Sequence, residues 1–174
     1  MSLGLLVLRA IVGLLFVGHG AQKLFGVAGG AGPEGTARSF EKAGLRPGRL
    51  HAYAAGCAEL GGGLLLALGL LTPLGSAALI AVMTAAILSV HLSKGLWNTG
   101  GGFEYNLVLM AVAFALAAVG PGSWSLDSVL SIDWAGTTWA LAALAAGLLG
   151  GLGAVASGRY QAAHHGPEPR VHSA

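Results

Sequence analysis

Two ionisable side chains lie where an apolar helix would carry them into hydrocarbon: Arg9 within LGLLVLRAIVGLLFVG and Glu59 within AYAAGCAELGGGLLLALGLL. A charge at such depth costs at least about 2.5 to 3.5 kcal/mol, so each must be paired, hydrated or functional. Arg9 precedes His19 by ten positions, about 15 Å of helix, and Glu59 lies about 10 Å in from the start of its own segment at Ala52. With the reach of an arginine the depths overlap, and an Arg9–Glu59 ion pair locking the first helix to the second is expected. Desolvation offsets most of the attraction in such a pair, so orientation or chemistry competes with stability as the reason for it.

A second set gathers near one membrane interface: His19, Gln22 and Lys23 at the end of the first segment, His91 at the end of the third, Trp97 in the connection, and Glu104 and Tyr105 opening the fourth. Arg9, Phe16 and Lys23 are seven apart and share a stripe, and His19 lies one turn from Lys23. Histidine titrates near neutrality, so His19 or His91 could relay a proton, with Glu59 or Glu104 accepting it and the rings of Trp97 and Tyr105 contacting a small molecule. The plainer account stands beside this one: Glu104 at a helix start and a charged His91 at a helix end suit the helix dipole, and Trp97 suits the interfacial aromatic belt. Cys57 is the only cysteine, which rules out an internal disulfide and a CxxC pair; in an apolar helix it reads as a small hydrophobe. No HExxH, phosphate-binding glycine loop or paired-cysteine motif is present, so zinc peptidase, nucleotide and iron–sulfur chemistry have no footing and no metal is expected. His19 and His91 both sit near span ends, which argues against haem ligation.

Those residues must be positioned by membrane helices. Of 174 residues, 55% are hydrophobic and 9% charged, against about 25% charged in an ordinary soluble domain. Sixteen charged side chains cannot cover a soluble fold of this length. Segments of roughly 20 apolar residues span a hydrocarbon core of about 30 Å, and five are expected near 3–20, 52–71, 73–92, 104–119 and 136–156. Thr72 and Pro73 leave almost no loop between the second and third, which form an antiparallel hairpin. The thirty glycines fit close helix packing in lipid. The predicted fold is all-α: a polytopic transmembrane bundle with a four-helix domain over 1–130, a further hydrophobic helix over 131–156, and a disordered polar tail over 157–174 holding His164, His165 and His172. The segment 26–48 reads as a loop with a short amphipathic helix near 36–43.

Lys23, Arg38, Lys42, Arg46 and Arg49 follow the first span, Lys94 the third, and Arg159 and Arg170 the fifth. The positive-inside rule then places the 21–51 loop and the C-terminus in the cytoplasm and the N-terminus outside, in the cell membrane. No block of like charge suggests nucleic acid. Read as a signal peptide, the N-terminal run lacks a basic start and a cleavage site, and a retained helix is expected.

The strings HGAQKLFG at 19–26, ELGGGLLLALGLLTPLG at 59–75, VHLSKGLWNTGGGFEYNLVLM at 90–110 and GPGSWSLD at 120–127, taken together and in this order, resemble the DoxX family of small bacterial membrane proteins. The resemblance covers about residues 3–130. It implies a four-helix membrane bundle related to the membrane subunit of an archaeal thiosulfate–quinone oxidoreductase, with other members linked to quinone, thiol and oxidative-stress handling alongside soluble partners. Matched position by position, the motif residues are His19, Gln22, Lys23, Glu59, His91, Trp97, Glu104 and Tyr105. The fifth helix and the histidine-bearing tail depart from that pattern.

Three functions compete. In the first, the chain is a membrane subunit of quinone-linked redox chemistry, binding a quinone-like molecule near one interface through His19, His91, Glu59 and Glu104, with Arg9, Gln22, Lys23, Trp97 and Tyr105 as contacts. In the second it is a non-catalytic scaffold, holding soluble oxidoreductases through the basic loop 38–49. The third, a small-molecule transporter, ranks last because no inverted internal repeat is visible. The bilayer is the expected partner throughout, with a homo-oligomer open.

Overall fold

The computed structural model describes residues 2–164, and among these every regular element is helical. Helix α1 runs Ser2–Phe25, α2 Gly32–Lys42, α3 Gly48–Leu68, α4 Thr72–Ala86, α5 Glu104–Val119, α6 Leu126–Val129 and α7 Thr137–His164. A π turn over Ile87–His91 and a 3₁₀ turn over Leu92–Lys94 prolong α4.

Glycine sets the closest packing. A Cβ on Gly13 would lie 2.5 Å from the Gly63 carbonyl oxygen, and one on Gly63 would lie 2.6 Å from that of Gly13. Gly20 sits in the same way over Gly56 and Leu60. The α1 and α3 backbones therefore touch along an antiparallel seam, which small residues permit where no water drives association. The α3–α4 turn uses the left-handed region at Gly69 (φ 63°) and Leu71 (φ 45°), with Pro73 in the first turn of α4. The tight antiparallel hairpin expected from Thr72 and Pro73 is present.

The core joins four helices: Val12 and Phe16 of α1, Leu66 of α3, Leu79, Ile80 and Met83 of α4, and Leu109, Ala113 and Leu116 of α5. Helix α7 packs outside them, parallel to α4, with Gly147 against Ile80 and Gly151 against Thr84, and with Ala140 and Ala143 near Ala117 of α5. A four-helix core plus a fifth long helix is thus the architecture. Large apolar side chains such as Leu3, Ile11, Leu14, Leu64, Val108 and Leu149 point outward, as a lipid-facing surface requires. Three helical segments, Ser2–Phe25, Thr72–Lys94 and Thr137–His164, are long and apolar enough on their own to cross a bilayer. α5, with 16 residues, rises about 24 Å and needs its flanks. The chain is a multi-pass membrane protein.

Two expectations change. Residues 157–164, expected in a disordered tail, continue α7: the Arg46 amide donates to the Gly158 carbonyl at 3.1 Å and the Arg159 guanidinium to that of Leu88 at 2.9 Å. These contacts tie the helix end to the bundle. His165, His172 and Arg170 lie outside the described residues. The loop expected at 26–48 holds a longer helix than predicted, α2, which buries Thr36 and Ala37 and packs on α3.

Candidate functional site

The antiparallel register separates the two buried charges. Because α1 starts at Ser2, Arg9 lies about 10 Å from that end and level with the last turn of α3. Its guanidinium donates to the carbonyls of Ala67 and Trp124 and lies near Asp127. The expected Arg9–Glu59 ion pair is therefore not formed. Asp127, itself buried, accepts from the Leu71 amide at 2.7 Å, the Thr72 amide at 3.2 Å and Thr72 Oγ1 at 2.8 Å, while its own amide donates to the Gly69 carbonyl at 2.8 Å. Ser125 caps α6 by accepting from the Ser128 amide at 3.2 Å. The segment GPGSWSLD thus folds across the α3–α4 turn and satisfies its amides.

Glu59 finds a different cation at the opposite end. Lys23 Nζ donates to Glu59 Oε2 at 2.6 Å, and the two side chains are 23% and 4% exposed. Gly56, one turn before Glu59, leaves room for the Leu24 side chain and the Lys23 Cβ, which brings the lysine within reach. This pair forms part of the wall of a cavity of about 380 Å³. Ala54, Ala55 and Ala58 of α3 line one side and Gly150, Gly151 and Ala154 of α7 another, with Phe40 and Leu45 at the basic end.

Two further polar groups line the same cavity. His51, 8% exposed, lies in the first turn of α3; its Nε2 lies where a Cβ on Gly158 would come within 2.8 Å, so glycine there makes room for the ring. Ser89 sits in the π turn, and its buried Oγ has no hydrogen-bond partner among the described residues. Single π turns inside α-helices recur at functional sites because the extra residue re-aims a side chain. The arrangement can donate hydrogen bonds from Lys23 to a carbonyl oxygen, exchange a proton through Glu59, and hold an apolar body against alanine and glycine walls.

The other residues singled out in the sequence do not line the cavity. His19 is exposed, with its ring edge-on to Phe16 at 6.5 Å. Gln22 Nε2 donates to the Ala28 carbonyl at 3.1 Å. His91 Nδ1 lies 2.7 Å from the Gly101 carbonyl, and Glu104 Oε2 accepts from the Asn98 amide at 3.0 Å, so both brace the 92–103 connection. Trp97 and Tyr105 are exposed. Sequence reasoning missed His51, one residue outside a span drawn from Ala52, and Ser89, which looks like any small residue of an apolar helix. Among the described residues no three His, Cys, Asp or Glu side chains gather as metal ligands.

The DoxX family model matches residues 4–92, which takes in Lys23, His51, Glu59 and Ser89 and stops short of α7. An uncharacterised membrane protein of Mycobacterium tuberculosis, Rv3486, is 31% identical over 134 residues, covering 71% of this chain and 79% of that protein. The Bacillus subtilis protein named "Putative oxidoreductase CatD" is 33% identical over 115 residues, covering 66% of this chain and 79% of its own. No solved structure matches the chain.

Proposed function

Since the chain belongs to the DoxX family of membrane proteins, we propose that it is the membrane subunit of a redox system and binds a quinone-like molecule in the cavity beside Lys23 and Glu59. The observation that carries this reading is a single ion pair set in the otherwise largely apolar wall of a 380 Å³ cavity. That volume lies at the small end of ligand sites, about 300 to 1,000 Å³, and suits a ring with polar edges. The name of the B. subtilis relative, which covers two thirds of the chain, points toward oxidoreduction.

A bound quinone would accept two electrons and two protons, the electrons coming from a soluble oxidoreductase partner. Lys23 would donate a hydrogen bond to one ring oxygen and favour the negative charge that builds there, an effect strengthened where water is excluded. Glu59 would pass a proton toward that oxygen, and the partly exposed Lys23 stem would lead to the basic end. His51 and Ser89 would donate hydrogen bonds elsewhere on the ring. The exposed charges of α2, among them Arg38, Glu41 and Lys42, favour the same end as the docking side for the partner. With Arg46, Arg49, Lys94 and Arg159 nearby in the fold, the positive-inside rule puts that end in the cytoplasm of a cell-membrane protein.

Equilibrium binding of menaquinone and ubiquinone analogues to the purified protein tests the reading. Glu59→Gln and the paired change Lys23→Met with Glu59→Met should each weaken binding by roughly tenfold, the equivalent of about 1.4 kcal/mol. Affinity that stays at the wild-type value in both variants sinks it. Lys23→Met alone is less informative, because it strands a buried carboxylate and unsettles the fold as well.

A further inference from the structure

The cavity is too small to enclose a long hydrocarbon chain together with a ring, and its rim is not confined to the aqueous end. Ala54 of α3 and Gly150 of α7 both line it and both are exposed on the outer surface of the bundle. Helices α3 and α7 each pack along α4, and they meet where His51 lies against Gly158, toward the basic end. Beyond that contact the gap between them is floored by the small residues Ala81 and Ala85 of α4. The alanines of this gap are apolar, and the surface around them is lipid-facing.

From this geometry we infer that the cavity is entered sideways from the bilayer between α3 and α7, and that its ligand carries one long hydrocarbon chain, which stays in that gap while the polar head reaches Lys23 and Glu59. The inference rests on the reading of the cavity as a quinone-like site, and it assigns α7, outside the stretch matched by the family model, the role of selecting the chain. Gly150, Gly151 and Ala154 keep that wall flat. A Cβ on Gly150 would make only ordinary contact, 3.4 Å, with Ala81, so a side chain can begin there without displacing α4. Ala54 is likewise exposed and can be enlarged on the lipid side.

The test compares two probes on the full-length protein in nanodiscs: menadione, a naphthoquinone ring without a chain, and the same ring carrying a polyisoprene chain. The chain-bearing probe should bind the wild type more tightly by roughly tenfold or more, and Ala54→Phe combined with Gly150→Phe should bring the ratio of the two affinities to about one. Ala54→Phe alone replaces the double variant should that one not assemble, with the same change in the ratio expected. Equal loss of both probes, or of neither, overturns lateral entry and leaves the head site standing. Failure of the wild type to bind either probe removes the quinone-like reading, and this inference with it.

Discussion

The two ends of the bundle treat buried charge in opposite ways. At the hairpin end Arg9 and Asp127 are held chiefly by backbone: carbonyls of Ala67 and Trp124 for the two terminal nitrogens of the cation, whose Nε has no partner among the described residues, and amides of Leu71 and Thr72 for the anion. At the basic end Lys23 and Glu59 have chiefly each other, and beside them lies open volume. A charge held by main chain is a fastening, while one that faces a cavity is open to a ligand. Depth in the membrane alone does not separate the two cases.

The sharpest way to break this contrast is at the hairpin end. Asp127→Ala removes the acceptor for three hydrogen bonds and leaves Arg9 with carbonyls only, so stability should fall by about 3 to 5 kcal/mol, the usual cost of breaking a buried charged network. Reversible unfolding in mixed micelles would measure it, and ligand affinity in the folded fraction should hold. A loss of binding with little loss of stability would invert the assignment of the two ends.

A smaller effect is expected at Ser89, whose hydroxyl is buried without a partner. Ser89→Ala should leave stability unchanged or raise it by about 1 kcal/mol, since an unsatisfied buried group is removed, and should weaken ligand binding by roughly threefold. A clear drop in stability without any change in affinity would mean that the hydroxyl serves the π turn and not the cavity.

The smallest effect belongs to the surface of the basic end, where the Arg49 guanidinium bonds Glu34 and holds its carboxyl below the ordinary value. Because the folded carboxyl is the more acidic, its contribution is complete above the unfolded value of about 4.3 and disappears as pH falls through the lowered folded one. Both side chains are largely solvent-exposed, so Arg49→Ala should flatten the acid limb of a stability profile only slightly, and less so in high salt. A change that persists at high salt would place this contact among the buried ones.

Much of the fold is visible in the residues themselves. Hydropathy marks the long segments, Pro73 marks the hairpin, and the strings around His19, Glu59, His91 and Gly120 carry the family resemblance. The partner of Arg9 is not visible, because it depends on where α1 begins and on the α1–α3 register, and one helical turn shifts depth by about 5 Å. Glycine decides that register at Gly13 and Gly63, but thirty glycines offer many alternatives. The full extent of α7 is hidden for a related reason: its last two turns are polar, and they are held by Arg46 and Leu88, far away in sequence. Half of the cavity's polar lining, Lys23 and Glu59, is legible as charge in an apolar context. His51 and Ser89 acquire meaning only when α7 and the π turn bring them to a shared space.

The fold-back of Asp127 onto Thr72 joins groups 55 residues apart. A ribosome making this chain therefore releases the α3–α4 turn long before its acceptor exists, and the turn's amides must wait, solvated by water, until α5 has crossed the bilayer. Completion of the fourth crossing is thus written into the chemistry of the second bend, and membrane insertion acquires an order that no single helix encodes.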